Sequence, residues 1–210
     1  LADGVPVIIH GEKANNYKVT AAQIEAACTE KTKAFILNSP SNPSGMIYTR
    51  EELEEIAELA VRKDFYVVSD EMYEHLIYEG EAISIASLND EIYKRTITCS
   101  GVAKSYSMTG WRIGYAAGPV EVIKAVTSLQ SHSTSNPTSI AQFASIAALT
   151  GSQEPLEIMV REFAKRRNYM WERLNNLPGV TCAKAEGAFY LFPNEPCQIP
   201  LCRTNFKGGP

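Results

Sequence analysis

Residues 96–118 read TITCSGVAKSYSMTGWRIGYAAG and contain the pattern on which the fold prediction rests. Two short runs within it, 96–99 and 112–118, are rich in β-branched, aromatic and small apolar residues and are typical of strands. The segment between these runs carries one lysine, Lys104, whose neighbours in the sequence are small or hydroxylated. Because apolar runs stop here at a polar, glycine-containing turn, the stretch predicts strands of an α/β sheet with polar side chains at their ends.

The same alternation extends along the rest of the chain. Runs 34–37 and 65–68 predict two further buried strands. Thr49 is followed three residues later by Glu52, a capping-box signature that predicts the start of a helix. Further helices are predicted over segments 121–131, 138–150 and 154–177. The expected fold is therefore α/β, with a mostly parallel sheet flanked by helices.

Composition excludes several classes of protein. The chain has 210 residues and 45% hydrophobic residues, which is ordinary for a globular protein. Its 20 basic and 24 acidic residues give a formal charge of −4, so the cationic field of a nucleic-acid-binding protein is lacking. Apolar runs of membrane-spanning length and the apolar core of a signal peptide are also lacking, so neither nucleic acid nor a membrane is expected as a partner.

Cysteine and histidine usage argues against a metal site. The five cysteines are scattered, without a CxxC pair, which predicts reduced thiols in a cytoplasmic protein. The three histidines lie far apart in the sequence and without ligand spacing. No metal is therefore expected.

Polar residues that follow the predicted strands are the candidates for chemistry, because open α/β sheets bind ligands at the carboxyl ends of their strands. Asp70 follows the strand at 65–68, where its carboxylate could bind a ligand or cap a helix. Lys104 could be a solvated charge, or a partly buried amine whose pKa is lowered and which acts as a nucleophile. Arg112, beside Trp111, suits the recognition of a planar anion or a surface ion pair.

Four segments together resemble the class I and II aminotransferases, which are pyridoxal-phosphate enzymes of fold type I. Residues 100–115 resemble the segment with the cofactor-binding lysine, and residues 38–45 (NSPSNPSG) resemble the asparagine–proline turn. Residues 69–73 (SDEMY) resemble the segment with the pyridinium-binding aspartate, and residues 187–192 (GAFYLF) resemble the start of the small-domain sheet. The form of residues 108–112 is similar to that of bacterial aspartate aminotransferases.

The resemblance implies a set of cofactor-binding residues. Lys104 would hold pyridoxal 5'-phosphate as an internal aldimine and move the proton during catalysis, and Asp70 would pair with the pyridine nitrogen. Tyr73 and Asn42 would hydrogen-bond the ring 3′ oxygen. Arg112 would bind the phosphate, and the Ser100 hydroxyl would donate a further hydrogen bond to it.

The implied function is transfer of an amino group from an L-amino acid, aspartate first, to a 2-oxo acid such as 2-oxoglutarate. One alternative is a pyridoxal-phosphate-dependent C–S β-lyase of the same fold, which would use the same residues. Another is a non-catalytic regulator or fragment that binds the cofactor. The full-length protein is expected to be a cytoplasmic homodimer.

The resemblance also suggests a division of the chain. Residues 1–165 would form part of the large cofactor-binding domain, 166–194 the start of a smaller α+β domain, and 195–210 an unaligned tail. Family segments with the phosphate loop and the arginine that binds the substrate carboxylate are not recognised in these 210 residues. The isolated chain is therefore expected to be poorly active or prone to aggregation.

Overall fold

The structure, a computed structural model, describes residues 3–194. Its strands are β1 (Ala34–Asn38), β2 (Tyr66–Asp70), β3 (Thr96–Ser100), β4 (Tyr115–Ala117), β5 (Thr181–Cys182) and β6 (Pro193–Asn194). Its helices are α1 (Ala21–Ala27), α2 (Arg50–Lys63), α3 (Asp90–Tyr93), α4 (Val102–Ser105), α5 (Val120–Ser133), α6 (Ser139–Thr150) and α7 (Glu154–Asn175). The predicted tail at 195–210 lies outside the described residues.

The main sheet has four strands in the order β1-β2-β3-β4. β1, β2 and β3 are parallel, with Asn38 paired to Asp70 and Asp70 to Cys99. β4 runs antiparallel to β3, with Tyr115 opposite Ser100. The expectation of a mostly parallel sheet flanked by helices is confirmed, and the carboxyl ends of β1, β2 and β3 share one edge with the start of β4.

Capping boxes begin two of the helices. The Thr49 hydroxyl accepts from the backbone of Glu52 and the Glu52 carboxylate accepts from the backbone of Thr49, as the sequence predicts. The same reciprocal pair, Thr20 with Gln23, begins α1, a helix that our sequence analysis missed. Each box satisfies backbone N–H groups that have no partner inside the helix.

The main core lies between α2 and one face of the sheet. Leu53, Ile56 and Leu59 on α2 are fully buried against Leu37 of β1 and Val67 of β2. These helix positions recur at the spacing of one helix face, and the strand positions belong to one face of the pleat. This packing fixes the ends of β1 and β2 relative to each other.

The opposite face of the sheet is open in the described chain. Ile36, the neighbour of buried Leu37, is 73% exposed. On α6, Ile140 and Phe143 also present their side chains to solvent.

Within residues 3–194, no helix is both long enough and apolar enough to cross a membrane.

Two of the segments singled out in the sequence are only partly strand, or not strand at all, in the structure. In the run 112–118 the strand begins only at Tyr115, because a 3-10 turn at Thr109–Trp111 is followed by Arg112 in the left-handed conformation. The run 187–192 is not a strand: Ala188 N–H donates to the Leu76 carbonyl, and the small two-stranded sheet β5–β6 lies on either side of the run. Its backbone therefore bonds to the loop after β2 rather than to a new sheet.

Candidate active site

The sequence-predicted site residues lie at the shared edge of the main sheet. Asn42 follows the end of β1 by four residues, and Asp70 ends β2. Ser100 ends β3 and leads into α4, which contains Lys104. Arg112 precedes β4, which starts opposite Ser100. The parallel order of β1, β2 and β3, with β4 reversed, brings all these chain segments to one end of the sheet.

Lys104 lies on α4, whose other three residues are buried. Its amine is 5.4 Å from the centre of the Phe189 ring and 6.0 Å from that of Tyr73. These distances are within the range of cation–π attraction. The amine therefore faces two aromatic rings that come from distant parts of the chain.

A glycine permits the close approach of α4 to the segment before β4. Gly101 caps α4, and a Cβ atom at this position would lie 2.9 Å from the carbonyl oxygen of Ile113. A side chain at residue 101 would thus push apart the segments that carry Lys104 and Arg112. This contact keeps the two predicted residues at the same edge.

Asp70 is held by the end of the β1–β2 ladder. Its backbone carbonyl accepts hydrogen bonds from the backbone of Ser39, at 3.2 Å, and from the side-chain amide of Asn38, at 3.1 Å. Its carboxylate oxygen Oδ1 accepts from the backbone N–H of Met72 at 3.2 Å. Hydrogen bonds to the backbone therefore fix the position of Asp70, whose side chain is half-buried. The other carboxylate oxygen, Oδ2, has no hydrogen-bond partner among the described residues.

Asn42 is connected to Asp70 through Asn38. The backbone N–H of Asn42 donates to Oδ1 of Asn38 at 2.6 Å, while the amide nitrogen of Asn38 bonds to Asp70. The side chain of Asn42 is exposed. Asn38 was not singled out by the sequence analysis, although it lies within the quoted 38–45 turn.

Tyr73 is buried beside Lys104. Its hydroxyl oxygen is 2.5 Å from that of Tyr190, and its ring makes an edge contact with Phe189 at 5.3 Å between centroids. Burial raises the pKa of Tyr73 above its ordinary value. The phenol therefore keeps its proton at neutral pH and can act as a hydrogen-bond donor.

Ser100 is buried, and its hydroxyl donates to the Glu74 carboxylate at 2.6 Å. Glu74 was not among the predicted site residues. Its position four residues after Asp70, in the run SDEMYE that begins at the end of a strand, is the only signal that the sequence offers.

Arg112 is exposed and adopts a φ angle of +54°. One of its guanidinium nitrogens, Nη1, donates to the Thr109 carbonyl at 2.9 Å. A guanidinium has five N–H donors, so most of them remain available to an anion. The left-handed backbone turns the chain from the 3-10 turn into β4.

Glu71 is a buried carboxylate that the sequence analysis missed. It accepts hydrogen bonds from the hydroxyls of Ser69 and Ser84, each at 2.8 Å, and its backbone N–H donates to Cys99. Burial raises the pKa of Glu71, and the two serine hydroxyls oppose that effect. The Glu71 side chain therefore connects the loop at Ser84 to the end of β2, next to Asp70 in the sequence.

Comparison with known proteins shows which family this chain is related to. The model of the family "Aminotransferase class I and II" matches residues 1–196. The aspartate aminotransferase of Geobacillus stearothermophilus is 54% identical over 97% of this chain and 53% of its own length. That of Bacillus subtilis is 53% identical over 92% of this chain and 50% of its own length.

A solved structure agrees with the sequence relatives. The aromatic aminotransferase of Pyrococcus horikoshii superposes with a TM-score of 0.86 at 39% identity, covering 90% of this chain and 51% of that protein. The chain thus spans about half the length of the relatives that it matches. On the family match and the shared fold, the chain belongs to the class I and II aminotransferases, a family of enzymes that depend on pyridoxal phosphate.

Proposed function

We propose that the protein to which this chain belongs is an aminotransferase that moves an amino group from an L-amino acid, aspartate first, to a 2-oxo acid such as 2-oxoglutarate. The main observation behind the proposal is that the amine of Lys104 faces the rings of Tyr73 and Phe189. This lysine lies at the same edge of the sheet at which β2 ends in Asp70. The names of the two bacilli relatives support aspartate as the first donor to test. An aromatic donor is the next, in view of the Pyrococcus neighbour.

The residues present fit pyridoxal phosphate in their chemistry. A primary amine, a carboxylate, a protonated phenol and a guanidinium occur within a few residues of one sheet edge. Each has a counterpart on the cofactor: the aldehyde, the pyridine nitrogen, the ring oxygen and the phosphate. When bound, the cofactor supplies an electron sink for the carbanion that forms at the substrate α-carbon.

Lys104 and Asp70 have the two proton-handling roles in this proposal. Nζ of Lys104 would hold the cofactor covalently and, once displaced by substrate, would act as the base that moves the proton of the substrate α-carbon. The Asp70 carboxylate keeps a proton on the pyridine nitrogen. Its backbone contacts with Asn38 and Ser39 hold it in position for that role.

The other candidates bind and orient the ring. The Tyr73 hydroxyl and the Asn42 side chain donate to the 3′ oxygen, and the Arg112 guanidinium binds the phosphate by charge-assisted hydrogen bonds. Ser100 adds its hydroxyl to the phosphate site once that hydroxyl leaves Glu74, its partner here.

The division into domains, the assembly and the location are also proposals. We propose that residues 1–165 belong to the large domain and 166–194 to the start of the small one, with α7 running across the boundary. A homodimer is proposed for the full-length protein. The scattered cysteines support a cytoplasmic location.

Reduction of the cofactor adduct tests the cofactor site. The purified chain is mixed with pyridoxal phosphate, its visible spectrum is recorded, and it is then treated with borohydride and mapped by mass spectrometry. We expect a stable adduct on Lys104 that K104A abolishes and that K165A, which removes an exposed lysine of α7, leaves unchanged. A folded chain with adducts spread over surface lysines would contradict the proposal.

The full-length gene product tests the reaction. Aspartate with 2-oxoglutarate should give glutamate and the oxo acid of aspartate, with a lower rate for aromatic donors. Release of pyruvate and ammonia from cystathionine, without amino-group transfer, would instead identify a β-lyase.

A further inference from the structure

We propose that Tyr190 is a positioning residue for Tyr73: its phenol donates a hydrogen bond to the Tyr73 hydroxyl, which directs the Tyr73 proton toward the cofactor ring oxygen. The inference rests on the proposed function, because it concerns how Tyr73 meets the cofactor. It assigns a role to a side chain that lies 117 positions further along the chain.

The two phenols form a close and sheltered pair. Their oxygen atoms are 2.5 Å apart, and their rings meet edge to face with 5.6 Å between centroids. Tyr73 is only 3% exposed, so water has little access to its hydroxyl. Within residues 3–194, the structure gives neither hydroxyl another hydrogen-bond partner.

Counting protons gives the direction of the bond. A phenol has one O–H donor, so only one member of the pair can donate to the other. If Tyr73 donated to Tyr190, its oxygen would present only lone pairs to the cofactor, and these would repel a negatively charged ring oxygen. If Tyr190 donates, the Tyr73 proton is available, and the two bonds strengthen each other as a chain.

The chain segment before Tyr190 is anchored, which makes its hydroxyl a fixed donor. The backbone N–H groups of Glu186 and Gly187 both donate to the Gly45 carbonyl, and that of Ala188 donates to Leu76. The guanidinium of Arg167, on α7, bonds to the Ala185 carbonyl at 2.7 Å. Tyr190 thus connects α7 and the turn after β1 to the candidate cofactor site.

The hydrogen bond itself is tested without cofactor. The chain is labelled with 13C at the tyrosine ζ carbon, and the Tyr73 signal is assigned as the one lost in Y73F. In Y190F the Tyr73 ζ-carbon signal should shift, whereas Y93F, at a residue 67% exposed on α3, should leave it in place. If Y190F does not fold, a shift of the Tyr190 signal in Y73F gives the same information. An unchanged signal would overturn the inference.

The direction of donation is tested with the cofactor bound. The visible band of the Lys104 adduct is titrated against pH. A donor to the ring oxygen stabilises negative charge there and lowers the affinity of the neighbouring nitrogen for its proton. Y190F should therefore move the midpoint to higher pH by about half a unit, the size expected for the loss of one hydrogen bond. Y73F should move the midpoint in the same direction and by a larger amount.

The outcomes separate the two proposals. A normal adduct whose midpoint is the same in Y190F and the parent chain would refute the role of Tyr190 and leave the proposed cofactor site intact. Absence of an adduct on Lys104 in the parent chain would refute the proposed cofactor site, and the measurement without cofactor would then decide whether the tyrosine pair exists. Y93F should match the parent chain in both experiments.

Discussion

The side-chain amine of Lys104 lies 5.4 Å from the centre of the Phe189 ring. The two residues come from α4, after β3, and from the irregular segment before β6, so their proximity is a tertiary contact. Phe189 also contacts Phe163 on α7, with 5.7 Å between ring centroids. This ring therefore joins the lysine to the last long helix of the described chain.

Truncating that ring should loosen the site. F189A removes edge contacts with Tyr73 and packing against Phe163, and we expect a loss of about 1–2 kcal/mol in the free energy of unfolding, less than for a fully buried phenylalanine. Pyridoxal phosphate should also bind more weakly. Urea denaturation measures the first effect. F143A on α6, where the ring is 73% exposed, is the control and should change stability by less than about 0.5 kcal/mol.

The amide of Asn38 should stabilise the edge of the sheet that carries Asp70. N38A removes the donor to the Asp70 carbonyl and the acceptor for Asn42, which should cost about 1–2 kcal/mol of stability. The Lys104 adduct should also form with lower affinity. N136A, at an exposed asparagine whose side chain donates to the neighbouring Pro137 carbonyl, should have almost no effect on either measurement. Equal effects of the two variants would contradict this role.

Two glycines with similar backbone angles should respond differently to alanine. Gly45 has a φ angle of +73°, and its Cβ would lie 2.5 Å from Cβ of Ala185. Gly80 has a φ angle of +76° and open space around it. G80A should cost about 1 kcal/mol for the left-handed backbone, and G45A about 2–4 kcal/mol because of the added clash. Denaturation midpoints compare the two, and similar losses would mean that the 185–187 segment does not pack on this turn in solution.

Glu71 should make stability depend on pH in a defined direction. Its pKa is raised in the folded state, so the folded protein binds the proton more tightly than the unfolded chain. Its contribution is then fully present below the unfolded value of about 4.3 and is lost as pH rises through the folded value. E71Q should therefore be most destabilising, relative to the parent chain, at low pH and less so at neutral pH. Denaturation of both proteins at several pH values checks this, and a constant difference would contradict it.

The apolar surface of α6 should promote association of the isolated chain. Ile140 and Phe143 are both exposed, and contiguous apolar patches of this kind favour aggregation. Replacing both by lysine should raise the concentration at which light scattering detects aggregates. Q142K, on the same helix at an exposed polar position, adds a charge without removing apolar surface and should have a smaller effect.

Most helices and strands near the site were predicted from local patterns in the sequence. The apolar runs that became β1, β2 and β3 each end at a polar residue, and Thr49 with Glu52 forms the predicted capping box. These features are encoded by neighbours in the chain, because helix caps and strand alternation depend on residues only a few positions apart. The resemblance to a family then added the expected roles of Lys104 and Asp70, which stay predictions until the adduct is mapped.

Contacts between segments that are distant in the chain could not be predicted from local patterns in the sequence. The run 187–192 consists of residues that favour strands, yet its backbone bonds to Leu76 while the preceding Gly187 bonds to Gly45. Glu71 and Glu74 were not singled out in the sequence, whereas the structure gives each of them a serine hydroxyl partner.

The sequence by itself determined the α/β class, the approximate positions of β1, β2 and β3, and the family, because each follows from short-range patterns or from matching motifs. Only the tertiary structure decided that Tyr190 meets Tyr73 and that Phe189 covers Lys104. The physical reason is that these pairs are separated by many residues along the chain. Their contacts depend on how α7 and the 185–190 segment pack against the sheet edge, which no local pattern of residues specifies.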